Sequence, residues 1–548
     1  MKKALFYLAI LSTFSVFVSC DPESVINGSD DTDTLDYVWD TTKVVDITFS
    51  GNAITVVSEN VTVDGSVATI TAAGTYRLNG TLTDGQVVVN SSGIVRLIMN
   101  DVSLSNSTTS PLFVKQAHKT IIILPEGTES IIADGNSYVL TEDSLNAAIY
   151  SKDYLAIYGE GTLYVNGNYN VGIHSKDELI IESGVLDVTS VGVGIKGKDY
   201  LQVNGGNITV NSGGDGLKSD NDSISAFGYI NIVNGTFSIT SGGDAISATA
   251  NINISGGNLS LLSGGGSDAE QGTFSTKGIK SSKNVIISGG VISVDAADNC
   301  IDANNDITIN SGSLTMSSGN KPVDCDSSFV INNGEIEIAK AVKGISAHYI
   351  TVNGGQISVY STNDCVKATR SVDLTVDDGS KIVISGGTVL LYTKKGDALD
   401  SNGSIDISGG TVVIQGSATS PDDVISYRST CVVTGGTITG VGATSLLPQD
   451  VSTQNTVLIK FSSVITPSTY VNIQDASGNN IVTLKTKTYA YCIVASLPGI
   501  NLNTTYNVYT GGTATGADIN GYIDNAVYTP GTLKGSFSLV SVSSTVTL

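Results

Sequence analysis

The chain has 548 residues, 28 Lys and Arg against 51 Asp and Glu, and a formal net charge of -23. Phosphate recognition needs clustered Lys and Arg, so this balance excludes nucleic acid as a partner. Only 14% of residues are charged, and 61 Gly against 9 Pro favours tight turns in an all-β chain.

Lys2-Lys3, an apolar run from Ala4 to Val18 and Ser19-Cys20 read as a secretory leader, residues 1–20, with Cys20 as a lipid-attachment site. An ordinary signal peptide with a chance cysteine is the alternative. Residues 21–44 are acidic and aperiodic, as expected of a flexible tether between a membrane and a folded body. Residues 45–146 carry irregular strand patterns such as Gly74-Thr75-Tyr76-Arg77-Leu78 and Thr120-Ile121-Ile122-Ile123-Leu124. They read as the N-terminal rungs and cap of a repeat array, because such an array must shield its open edge.

From Ala147 to about residue 444 the chain repeats itself. Gly-Gly turns precede alternating apolar residues, and Gly290, Gly312 and Gly334 lie 22 residues apart. A period of this length containing strand-type alternation predicts a single-stranded parallel β-helix with about 22 residues per rung. Branched aliphatics at Ile173, Ile195, Leu217, Ile246, Ile279, Ile301, Val323 and Ile345 define one inward column, with small residues two positions later. The residue between them faces outward. Longer gaps place loops near residues 221–228, 264–276 and 369–381, where a rigid scaffold tends to carry function.

Stacking turns equivalent positions into neighbours about 4.8 Å apart, so chemistry can be read in columns. Asp302 falls over Asp324 and Asn304 over Asp326, with Asp298 and Asn299 entering the same corner. Stacked like charges repel, and a Ca²⁺ ion, which takes several carboxylate and amide oxygens, would reverse that. Asp215, Asp220, Asp222 and Asp244 form a second acidic zone and a second candidate Ca²⁺ site. A solvated polar corner is the alternative at both, and Asp-Gly corners are favoured by turn geometry alone. Lys280 heads the column of Asp302 and Asp324, while Lys277, Lys321 and Lys343 share the column of Asn299. These lysines either balance the acids or, beside a cation-bound uronate, could abstract a proton.

Tyr360 and Tyr392 recur in register on consecutive rungs, with Tyr349 and Tyr427 near enough to join a sugar-binding patch. Cys300, Cys325, Cys365, Cys431 and Cys492 read as buried free thiols, since no zinc spacing or bondable pair appears. Beyond Ser445 the period is lost. Short alternating strands predict a small antiparallel β module over residues 445–548.

Several of these motifs occur together, in order, in a known family. Ala72 to Thr81, Ala147 to Leu155, Val165 to Asp177, Thr276 to Lys280 and Tyr506 to Gly512 resemble segments of secreted carbohydrate-binding β-helix proteins similar to family 9 polysaccharide lyases. The resemblance spans about residues 45–535. It implies a right-handed parallel β-helix, bound Ca²⁺, and binding of cellulose and of pectic acids such as polygalacturonate. The related lyases carry a calcium corner Asp-Asp-x-x-Asp; here it reads Asp298-Asn299-Cys300-Ile301-Asp302, with Asn in the second place. Lys343 lies nearest to the position of the lyases' lysine base.

These readings converge on an exported, monomeric lipoprotein of the outer membrane or cell surface. It is expected to hold acidic plant-type polysaccharide through Ca²⁺ rather than act as an enzyme. The rivals are a Ca²⁺-dependent lyase acting by β-elimination, with Lys343 or Lys280 as base, and a structural adhesion protein.

Overall fold

The computed structural model describes residues 34–139, 144–371 and 376–548. The leader, Cys20 and most of the expected tether lie outside them. Residues up to Thr41 form a unit of their own, whose described part contains a 3-10 turn at Thr34–Tyr37; Thr42–Leu548 form the other unit.

Three strands make each repeat of the second unit. Ile301–Ala303, Ile307–Ile309 and Ser313–Ser318 are followed by Val323–Cys325, Ser328–Ile331 and Glu335–Lys340. Each strand pairs in parallel with its counterpart one repeat on: Ile279 with Ile301, Ile301 with Val323, Val323 with Ile345. The described chain is therefore all-β, a β-helix-like stack of long parallel sheets. One sheet of 16 strands gathers the short three-residue segments, and the other two strands of each repeat run through a larger sheet.

The core forms because alternate residues of every strand point inward and their equals stack. Ile279, Ile301 and Val323 are fully buried, as are Ile287 and Ile309 on the next strand. Each such side chain contributes about 1.5–3 kcal/mol on leaving water. The five cysteines from Cys300 to Cys492 are free and buried among them. Burial pushes the Cys325, Cys431 and Cys492 thiols up to about 12, so they pack as neutral groups.

The turn before the third strand depends on glycine. Gly206 has φ +99, and a Cβ there would meet the Gly184 carbonyl oxygen at 2.7 Å, so both the conformation and the close approach forbid a side chain. Both ends of the stack are covered. At the start, Val45–Gly51 folds back on Ala53–Val56, and Val61–Asp64 on Val67–Ile70. At the end, Ala490–Ser496 pairs antiparallel with Thr437–Gly442, the last strand of its ladder. A six-stranded sheet, antiparallel throughout and with its own apolar core, completes the C-terminal part. Gln415 ties that part to the stack: its amide donates to the Lys485 and Asn520 carbonyls, and its oxygen accepts from Lys487 N.

Candidate functional site

The short strands turn one residue per repeat away from the interior, half-buried at most positions and buried at His174, Asp400 and Ser426. In register these are His174, Lys196, Lys218, Ser247, Lys280, Asp302, Asp324, Ser346, Lys367, Asp400 and Ser426. Three positions earlier runs a corner column of Asp215, Asp244, Lys277, Asn299, Lys321, Lys343, Asp364, Asp397 and Asp423. Backbone bonds from one repeat to the next hold it, among them Ala245 N to Lys277 O and Gly278 N to Asn299 O. The two columns form one charged ladder down the outside of the 16-stranded sheet.

The acids predicted to hold Ca²⁺ do meet here. Asp302 lies over Asp324 as the register required, and their repulsion is offset by N–H donors. Lys277 Nζ lies 3.2 Å from both Asp298 Oδ2 and Asp302 Oδ2, and Lys321 Nζ lies 2.8 Å from Asp324 Oδ2. The Asn299 amide donates to Asp302 Oδ2 at 2.7 Å and to Asp324 Oδ2 at 3.5 Å. Burial opposes the charge on Lys277, but the Asp302 and Asp298 carboxylates outweigh it and raise its pKa. Asn304 and Asp326 stay exposed.

The second zone is similarly occupied. Asp215 takes Lys218 at 2.8 Å and the Asp244 N–H at 2.9 Å. Asp244 takes Lys280 at 3.4 Å, the Ser275 hydroxyl and the Lys277 N–H. Asp220 pairs with Lys196 at 2.7 Å, and Asp222 is exposed. Among the described residues no group of three or more His, Cys, Asp or Glu is arranged to hold a metal ion. Ammonium and amide groups lie against these carboxylates, Lys277, Lys321 and Asn299 in the first zone and Lys196, Lys218 and Lys280 in the second. Of the two candidate bases, Lys280 is committed to Asp244. Lys343 is exposed, with no side-chain partner among the described residues.

The expected aromatic patch also changes. Tyr360 and Tyr392 stack in register, ring centroids 5.2 Å apart and planes at 7°. Repeat spacing turns their faces toward each other, so the pair presents no broad platform, and it lies on the larger sheet, away from the charged ladder. A cleft beside it is completed by Lys487 and Asn520 of the C-terminal part. Tyr349 sits on another strand with its ring 3.9 Å from that of His348. Tyr427 continues the inward column from Ser401, packs on the core and donates to the Leu447 carbonyl at 2.6 Å. Neither joins the pair.

Two depressions open along the ladder, both where the outward column falls to serine. The one at Ser247 has a volume of ≈ 430 Å³ and a floor of Gly192, Gly213, Gly214, Gly242 and Gly243. The Asp215–Lys218 and Asp244–Lys280 pairs line it, and Phe274, from the loop at residues 264–276, forms part of its wall while 82% exposed. Sequence reading located that loop and missed Phe274; the signal was a lone aromatic in a Gly- and Ser-rich insertion. The second depression, ≈ 280 Å³, lies at Ser346.

Acids also crowd other turns of the stack. Burial, then the charges of Glu178 and Asp199, push the Asp177 carboxyl up to about 7; burial and Asp397 push Asp423 up to about 6. An unfolded Asp titrates near ~3.9. A raised folded value stabilises fully below that pH, and the contribution is lost as pH rises through the folded value. The thermal midpoint is therefore expected to fall from about pH 5 to about pH 8, with Asp177→Asn flattening the fall. A wild-type midpoint constant over that range in a pH-scanned melt would contradict it.

The model of a family described as carbohydrate-binding domain-containing protein matches residues 64–325 and 323–474. A protein of the same description from Acetivibrio thermocellus is 34% identical over 124 residues, which are 22% of this chain and 43% of that protein. The chain thus spans less than half the length of that relative. A solved structure, the gadolinium derivative of a polysaccharide lyase-like protein from C. thermocellum, is 28% identical, with a TM-score of 0.39, over 45% of this chain and 93% of that one. Because the family model covers the larger part of the sequence, this chain belongs to the carbohydrate-binding domain-containing family.

Proposed function

We propose that the protein is a surface-anchored lipoprotein, attached through Cys20, that lays acidic plant-type polysaccharide such as polygalacturonate, and also cellulose, along the charged ladder of a right-handed β-helix. The observation that carries this reading is the depression at Ser247, where an exposed phenyl ring stands beside a side-chain-free glycine floor and two acid–lysine pairs. A sugar ring has apolar C–H faces and polar edges. The first suits contact with Phe274, and the second suits charge-assisted hydrogen bonds, accepted by Asp215 and Asp244 and donated by Lys218 and Lys280. A preformed concave site with few polar groups fixes orientation at small entropic cost. The lysines already neutralise the inner acids, so the reading needs no resident Ca²⁺, and polyanion binding is expected to survive chelation.

Affinity electrophoresis of the purified chain through gels containing polygalacturonate, with pull-down on insoluble cellulose, tests this. Retardation by polygalacturonate with and without EDTA is expected. Free migration and no pull-down across acidic and neutral plant glycans would overturn the reading and favour an adhesion role.

A further inference from the structure

We propose that the depression at Ser346 is a carboxylate-binding subsite, which holds the acid group of the polysaccharide directly on the ammonium of Lys343 with no metal ion between them. This rests on reading the ladder as the polysaccharide face. Lys321, Lys343, Ser346, Asn363 and Lys367 line the depression together with one carboxylate, Asp364, which is held by Lys367. Lys321 is paired with Asp324, and Lys367 with Asp364 and Asp400. Lys343 differs. The repeat from Lys343 to Ala347 contains no acid, because the outward column steps from Asp324 to Ser346 before reaching Lys367. Among the described residues, Lys343 is the ladder lysine whose side chain has no ion pair or hydrogen bond. The Ser346 hydroxyl and the Asn363 side-chain amide, lining the same depression, also make no hydrogen bond there.

Three uncommitted donors around one depression suit an acceptor-only ligand. An ionised carboxylate offers about four lone-pair sites on two oxygens, and an ammonium–carboxylate hydrogen bond is roughly twice as strong as a neutral one. Charge explains why the place matters. A chain at -23 repels a polyanion over most of its surface. A uronate can settle where a cation is left uncompensated, and the Ser346 repeat provides that. It lies four repeats from the Ser247 depression, about 19 Å along the same sheet face at the usual strand spacing. One extended polysaccharide can occupy both, its ring at Phe274 and its acid group at Lys343.

Calorimetry of the full chain in EDTA-containing buffer, with oligogalacturonate and its methyl ester as probes, tests the subsite. Wild type is expected to bind oligogalacturonate in EDTA, with affinity falling as salt rises. Lys343→Gln should weaken that binding about tenfold or more, as loss of a charged hydrogen bond implies, while Lys343→Arg keeps most of it. Affinity for the methyl ester, which has no charge to lose, should change by less than about twofold. Lys343 is exposed and unpaired, so both variants should melt with wild type. Equal binding of oligogalacturonate by wild type and Lys343→Gln overturns the subsite, as does binding that EDTA abolishes and Ca²⁺ restores. If the subsite fails while the ester still binds, the polysaccharide reading stands; if neither probe nor any other glycan binds, both fall.

Discussion

Phe274→Ala is expected to weaken polysaccharide binding about ten- to a hundredfold without lowering the thermal midpoint. The ring is 82% exposed and belongs to an insertion outside the repeat, so no core contact is lost with it. What disappears is the apolar part of the wall of the Ser247 depression. Burying a phenyl ring against a ligand contributes about 1.5–3 kcal/mol, and each 1.4 kcal/mol is a factor of about ten. Phe274→Tyr keeps the ring and should keep the affinity. The effect should be equal for oligogalacturonate and its ester, because an aromatic face reads the sugar and not its charge. Titration calorimetry with each probe decides the matter: an unchanged affinity in Phe274→Ala would remove the ring from the site and leave the glycine floor unexplained.

Columns, not single residues, were what the sequence made legible. Inward aliphatics at every repeat fixed the register, and with it the meeting of Asp302 and Asp324 and the outward place of Lys280. Backbone periodicity determines those positions, and periodicity is visible in a one-dimensional string. It does not determine where a long flexible side chain ends. Lys277 could serve its own repeat or the next one, and it reaches forward to Asp298 and Asp302. The acids therefore read as a vacancy for a cation, and lysine ammonium groups of the chain itself lie against them. Tyr427 shows another limit: it looked near enough in register to join Tyr360 and Tyr392, yet it continues the inward column from Ser401 and packs half-buried against the core. Phe274 could not be placed by period at all, because an insertion has no equivalent in its neighbours. Serine breaks in the outward column were present in the sequence, and their meaning appeared once the flanking side chains had volumes and partners.

Lys277 gives the sharpest test of whether an internal cation replaces a metal ion. Its side chain is 18% exposed, and those of Asp298 and Asp302 are 11% and 17% exposed, so all three groups are mostly out of water. Removing one partner from such a group strands the others' charge, which costs about 3–5 kcal/mol. Lys277→Met keeps most of the aliphatic stem and deletes the ammonium, so the loss should be electrostatic, about 3 kcal/mol in chemical denaturation. Asp298 and Asp302 would then face each other, two carboxylates of the hard-oxygen type Ca²⁺ prefers. Millimolar Ca²⁺ is expected to restore part of the lost stability in Lys277→Met, through binding to the folded state alone. Adding Asp302→Asn should abolish that rescue, and wild type should respond to neither Ca²⁺ nor EDTA. Equal stabilisation of wild type by Ca²⁺ would mean that the metal competes successfully with Lys277. The ladder would then bind its polyanion through a cation after all.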